Sequence, residues 1–233
     1  MAPHPRALST HHLVLLLTVA AVTTQAATTD AAAPAPTPRA AESRSSTGSS
    51  FLRARCATTQ YQTLCYDSLL PYASEFQTSH ARLARAAADV AAAHLRALST
   101  RVKGILHRHG SEPAEGTGGG RPSEAAALRD CTSTISAAAN LVRQSSAELD
   151  RLDAAPTAAA SGSGGRSSRE ARWEVSNAKT WLSAAMTNEG TCTDGLEEAG
   201  ATASPAGKEV TAGVVSVKQY TSNALALVNG IPL

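Results

Sequence analysis

The sequence predicts an all-α fold: an up-and-down four-helix bundle with an N-terminal helical hairpin and two disulfides. Three observations carry the prediction. Leu128, Cys131, Ile135, Ala138, Val142, Ser145, Leu149 and Leu152 recur at alternating steps of three and four, which keeps them on one stripe of a helix running through Ser123–Leu152. Similar stripes recur before and after it, and no series of segments alternates apolar and polar residues as half-buried strands do. Cysteines also sit on two of the stripes, where half-buried thiols call for partners.

The chain begins with a tract that does not belong to the folded protein. Arg6 supplies a positive start, Leu13–Ala21 is an apolar run, and Thr24-Gln25-Ala26 places small residues at a cleavage site, so residues 1–26 read as a secretory signal peptide. The apolar run is too short for a membrane anchor, and no membrane association is expected of the mature form. Residues 27–50, rich in Ala, Thr, Ser and Pro, read as a disordered leader. The bundle domain is then 51–233, about 180 residues and enough for one core. Cleavage removes Arg6 and no acid, taking the net charge from +2 to +1, a balance that points to neither nucleic acid nor an anionic membrane as partner.

Each element has its own local reason. Phe51–Tyr72 carries Cys56 and Cys65 with eight residues between them, a spacing that suits a bridged helical hairpin, and Pro71 breaks it. Thr78–His107 places Leu83, Ala87, Val90, Leu98, Val102 and Ile105 near helical spacing, with His94 at the edge of the apolar side as a neutral core-edge residue and His107 and His109 on a frayed end. Gly110–Pro122 is a glycine-rich loop, lacking the Gly-Lys-Ser/Thr and the strand that a phosphate cradle needs. Pro156–Arg166 is a second Ala/Ser/Gly linker.

Ser167-Ser168-Arg169-Glu170 fits a capping box, so a third helix starts there and presents Val175, Ala178, Leu182 and Ala185. Its stripe is interrupted at Glu189 and Gly190. Thr191-Cys192-Thr193-Asp194 resembles a fresh cap, which predicts a break and restart before Leu196. Trp173 and Trp181 broadly share a face and are expected in the core. Ser204-Pro205 reads as an N-cap with proline in the first turn of a last helix, which presents Val210, Val214, Val217, Thr221, Ala224, Val228 and Ile231.

Four cysteines in a secreted chain allow three connectivities. A zinc site would want two cysteines two to four residues apart or a His-x3–5-His pair beside them, and neither occurs. With Cys56 and Cys65 paired locally, Cys131 and Cys192 remain, near the start of the second bundle helix and the end of the third, ends that antiparallel neighbours bring together. No hydrolase elbow, P-loop, dinucleotide fingerprint or metal motif occurs, and no Asn-x-Ser/Thr is present. The expectation is a binding protein without catalytic residues or cofactor.

The residues then carry a resemblance. Cys56-ATTQYQTL-Cys65, Ala-Leu-Arg-Asp-Cys at Ala127–Cys131, the run VSNAKTWLSAAMTNEGTCTDG at Val175–Gly195 and SNALALV at Ser222–Val228 resemble the plant invertase/pectin methylesterase inhibitor family over Phe51–Leu233. The resemblance implies the same bundle, bridges joining first to second and third to fourth cysteine, a location in the apoplast or cell wall, and a non-catalytic protein that binds a carbohydrate-active enzyme. Invertase inhibitors of the family tend to carry Pro-Lys-Phe, which is absent here. The implied target is therefore pectin methylesterase, its pectin groove occluded in a 1:1 complex by a chain that is monomeric when free; acid invertase is the alternative. Thr191 and, more weakly, Ser133 are carried over as partner-interface residues. Two features depart from the family: the glycine-rich loops are longer, and Ser133 stands where an acid is common. Two other classes, the pro-region of a larger esterase and a lipid carrier, fit less well, because the chain ends without a catalytic domain and alanine-rich seams predict a core without a lipid cavity.

Overall fold

The computed structural model describes residues 38–111, 120–154 and 168–233. These all belong to the compact unit Pro36–Leu233. The signal-peptide reading, the first part of the leader, most of the Gly110–Pro122 loop and the Pro156–Arg166 linker lie outside the described residues. Those described form seven α-helices and no strand: α1 Pro38–Cys56, α2 Gln62–Leu69, α3 Ala73–Phe76, α4 His80–Ser111, α5 Gly120–Ala154, α6 Ser168–Glu198 and α7 Pro205–Asn229, with a 3-10 turn at Leu70–Tyr72 between α2 and α3. The four long helices close a ring in which α4 packs on α5 and α7, and α6 packs on the same two.

The predicted stripes form the core. Leu128, Cys131, Ile135, Ala138, Val142, Ser145 and Leu149 of α5 are all buried, and so are Val210, Val214, Val217, Thr221, Ala224 and Val228 of α7. Alanines at 84, 87, 88, 91 and 92 line the facing side of α4. Such small side chains let helix axes approach closely. Backbone also comes close at Gly207, where a Cβ would overlap the Ala201 carbonyl. The α7 start is as read from sequence, with Ser204 extended at the N-cap, its Oγ accepting from the Gly207 amide at 2.9 Å, and Pro205 in the first turn.

Three expectations need correction. The helical hairpin starts further back than Phe51, because the backbone is helical from Pro38, within the tract that composition assigns to the leader. Packing explains it: Leu52 is fully buried, and Gly48 lies so near the Ala73 carbonyl that a Cβ would collide with it. Second, α6 does not break at Gly190 but runs unbroken to Glu198. A single glycine costs a helix about 1 kcal/mol, and here the flanking hydroxyls turn back on the helix instead of capping a new one: Thr191 Oγ1 donates to the Thr187 carbonyl at 3.0 Å and Thr193 Oγ1 to that of Gly190 at 2.7 Å. Third, Trp173 is not in the core. It is 67% exposed, while Glu174 and Val175 take the buried positions beside it.

The hairpin docks on α7 through one amide. Asn223, nearly buried, accepts from the Tyr61 N–H at 3.3 Å and donates from Nδ2 to the Tyr61 carbonyl at 3.0 Å, so both backbone polar groups of that turn residue are satisfied by one side chain.

Candidate partner interface

Both bridges of the sequence reading are present. Cys56 and Cys65 join within the hairpin, Cα atoms 5.6 Å apart, and Cys131 joins Cys192 across α5 and α6 at 4.4 Å; among the described residues no cysteine is free. The second bridge closes a separation of 61 residues, which in the chain-entropy model contributes about 4 kcal/mol. It fixes the register of α5 against α6 and hence what their outer faces present together.

Thr191 and Ser133 are both exposed beside this bridge. On a helix they do not point the same way relative to it: Thr191, one residue from Cys192, is about 100° around α6, and Ser133, two residues from Cys131, is about 200° around α5. Each belongs to a longer stripe of short or polar side chains. On α6 this is Thr180, Ser183, Thr187 and Thr191, all exposed; on α5 Ser133 is followed by half-buried Ala137 and then by exposed Asn140 and Gln144. The α6 threonines give their hydroxyl protons to their own helix, Thr180 donating to Ser176, Thr187 to Ser183 and Thr191 to Thr187 at 3.0–3.2 Å. What they turn outward is methyl groups and acceptor lone pairs, held by the helix backbone. Such a face suits a rigid docking surface, because short side chains lose little rotamer entropy on contact.

One position on the core stripe of α6 is chemically unlike its neighbours. Glu189, a turn before Cys192, is fully buried; its Oε1 accepts from Thr221 Oγ1 of α7 at 2.6 Å, and Oε2 has no partner among the described residues. Burial pushes its carboxyl up to about 7, against the pull of the Thr221 hydrogen bond and the Lys218 charge. By residue type Glu189 interrupts the stripe; the spacing from Ala185 to Cys192 is the available sign that it lies on it. Among the described residues no group of His, Cys, Asp and Glu could hold a metal ion.

Residues 50–227 match the family described as plant invertase/pectin methylesterase inhibitor. The chain belongs to this family. Pectinesterase inhibitor 11 of Arabidopsis thaliana is 35% identical over 181 residues, covering 77% of this chain and 79% of that protein. Pectinesterase inhibitor 10 of Arabidopsis thaliana is 33% identical over 181 residues, covering 77% of this chain and only 50% of that longer protein. The 21 kDa protein of Daucus carota is 30% identical over 179 residues, with 77% and 82% covered. A crystal structure of a mutant form of a pectin methylesterase inhibitor from Arabidopsis superposes at a TM-score of 0.53 over 76% of this chain and 94% of that one; at 16% identity this is a likeness of fold. The family recognised from the cysteine motifs and the all-α fold both stand. The family is one of enzyme inhibitors, and among the described residues no helix is long and apolar enough to cross a membrane.

Proposed function

We propose that this protein is a secreted inhibitor of pectin methylesterase that docks through the outer faces of α5 and α6 beside the Cys131–Cys192 bridge. It covers the enzyme's pectin-binding groove in a 1:1 complex. The observation that carries the choice of target is that relatives matching over 79% of their own length, inhibitors 9 and 11, are named for pectinesterase. The lack of a Pro-Lys-Phe tripeptide anywhere in the chain supports it. Inhibition here is steric. Helix faces pinned by a bridge exclude a polymer without reorganising, and nothing in the mechanism asks the inhibitor for a proton or a nucleophile.

The test is a pair of titrations at mildly acidic pH, methanol release from methylated pectin by a plant pectin methylesterase and sucrose cleavage by acid invertase. Inhibition of the esterase alone is expected, and Thr191→Arg should weaken it about tenfold while leaving the thermal midpoint unchanged. Inhibition of invertase with the esterase untouched would replace this reading by its runner-up.

A further inference from the structure

A furrow distinct from the α5–α6 face runs between the hairpin and the bundle. Its wider part, about 460 Å³, is lined by Asp67, Tyr72, Glu75, Asp89, His94 and Tyr220 with small apolar residues between them. A second part of about 370 Å³ shares Glu75, Ala86 and Asp89 with it and continues to Asp153. The walls are aromatic. His94 of α4 and Tyr220 of α7 stack with ring centroids 3.9 Å apart and planes 12° from parallel, and Tyr72, from the turn after α2, stands 38% exposed.

Charge in the wider part of the furrow is one-sided. Three carboxylates line the wider part and no lysine or arginine does. Among the described residues no cation pairs with Asp67 or Glu75. Asp89 accepts from Ser146 at 2.6 Å and has only a 3.7 Å ion pair with Arg85. In the second part the cations are already engaged, Arg82 with Asp153 at 2.7 Å and Arg85 with Asp150 at 2.6 Å. Burial lowers the His94 pKa, so its ring does not offset the acids near neutrality. Aromatic faces beside unpaired carboxylates select a guanidinium or alkylammonium group. Because the two parts share residues, the furrow is longer than one side chain, which favours an extended segment over a small free amine.

We propose that this furrow is a second binding site, taking a basic, extended segment of a partner protein, with an Arg or Lys side chain against Tyr72 and the His94–Tyr220 pair and paired with Asp67 and Glu75. It is built mainly from α2, α3, α4, α7 and the intervening turn, with Asp153 at the C-terminal end of α5 closing its second part, whereas Thr191 stands on α6 and Ser133 lies about 30 Å back along α5. It therefore holds or fails separately from the esterase reading.

The probe is a fluorescein-labelled peptide of alternating Arg and Gly, titrated with the whole secreted chain at low ionic strength and followed by anisotropy. Saturable binding is expected, absent when Glu replaces Arg in the peptide. Tyr72→Ala and Glu75→Gln should each weaken it about threefold to tenfold, while Glu197→Gln, an exposed acid at the far end of α6, leaves it unchanged. Circular dichroism melts confirm that the variants are folded. Absence of binding, or equal weakening by Glu197→Gln, overturns the proposal as diffuse attraction. An affinity for 1,5-diaminopentane equal to that for the peptide overturns the choice of a protein segment.

Discussion

Glu189 makes the bundle answer to pH. Its carboxyl is neutral in the folded chain up to about 7, but ionises near 4.5 once unfolded. An acid whose folded value is raised contributes its full share of stability below the unfolded value and loses it as pH climbs to the folded one. Around Glu189 stand Thr221 and Lys218 of α7, and one turn along lies the bridge to α5. Urea denaturation at about pH 4 and about pH 8 should show the parent losing roughly 3 kcal/mol more than Glu189→Gln; parallel profiles would reject this. At this scale the sequence is least legible. Glu189 and Trp173 mislead for one reason, that residue type outweighs angular position in reading them: Trp173 falls about 200° from the buried Val175, and a large ring at that angle meets solvent. Asn223 gives no sign, since its partner is a backbone group 162 positions away in sequence.

Between elements, Asn223 is the clasp that holds the hairpin to α7. Asn223→Ala strips both backbone polar groups of Tyr61 of their partner and should cost roughly 1–3 kcal/mol, with earlier amide exchange in α1 and α2 than in α5. Two glycines offer a paired test of packing. Gly207→Ala drives a methyl into a backbone carbonyl that cannot swing aside, and should destabilise by roughly 1–3 kcal/mol. Gly195→Ala meets nothing within 4 Å and should stabilise α6 by up to about 1 kcal/mol. Equal effects in thermal melts would contradict the packing described. Helix boundaries are legible where a side chain performs the capping, as at Ser204. They mislead where the chain merely resembles a cap: at Gly190 the threonines have carbonyls of their own helix within reach, and tertiary contacts of Gly48 and Leu52 extend α1 into a tract whose composition alone gives no reason to fold.

For the molecule as a whole, the Cys131–Cys192 bridge and the antiparallel pairing of α5 with α6 are readable from one constraint, that buried thiols on neighbouring stripes must meet, while Cys56–Cys65 is readable from its local spacing. The proposed docking face is less so, since stripes of short polar side chains look like any solvated face until the register of α5 and α6 is known. A titration of esterase with this protein by calorimetry should saturate at one inhibitor per enzyme; two per enzyme would exclude a single α5–α6 docking face. The bridge between those helices also changes how the chain bears tension. Pulled from its two ends, the oxidised protein cannot release the segment between Cys131 and Cys192, a separation of 61 residues. That withholds about 200–220 Å of extended length. Force therefore passes across the base of the α5–α6 pair through one S–S bond, and the loop it closes stays slack even after every helix outside it has been drawn straight.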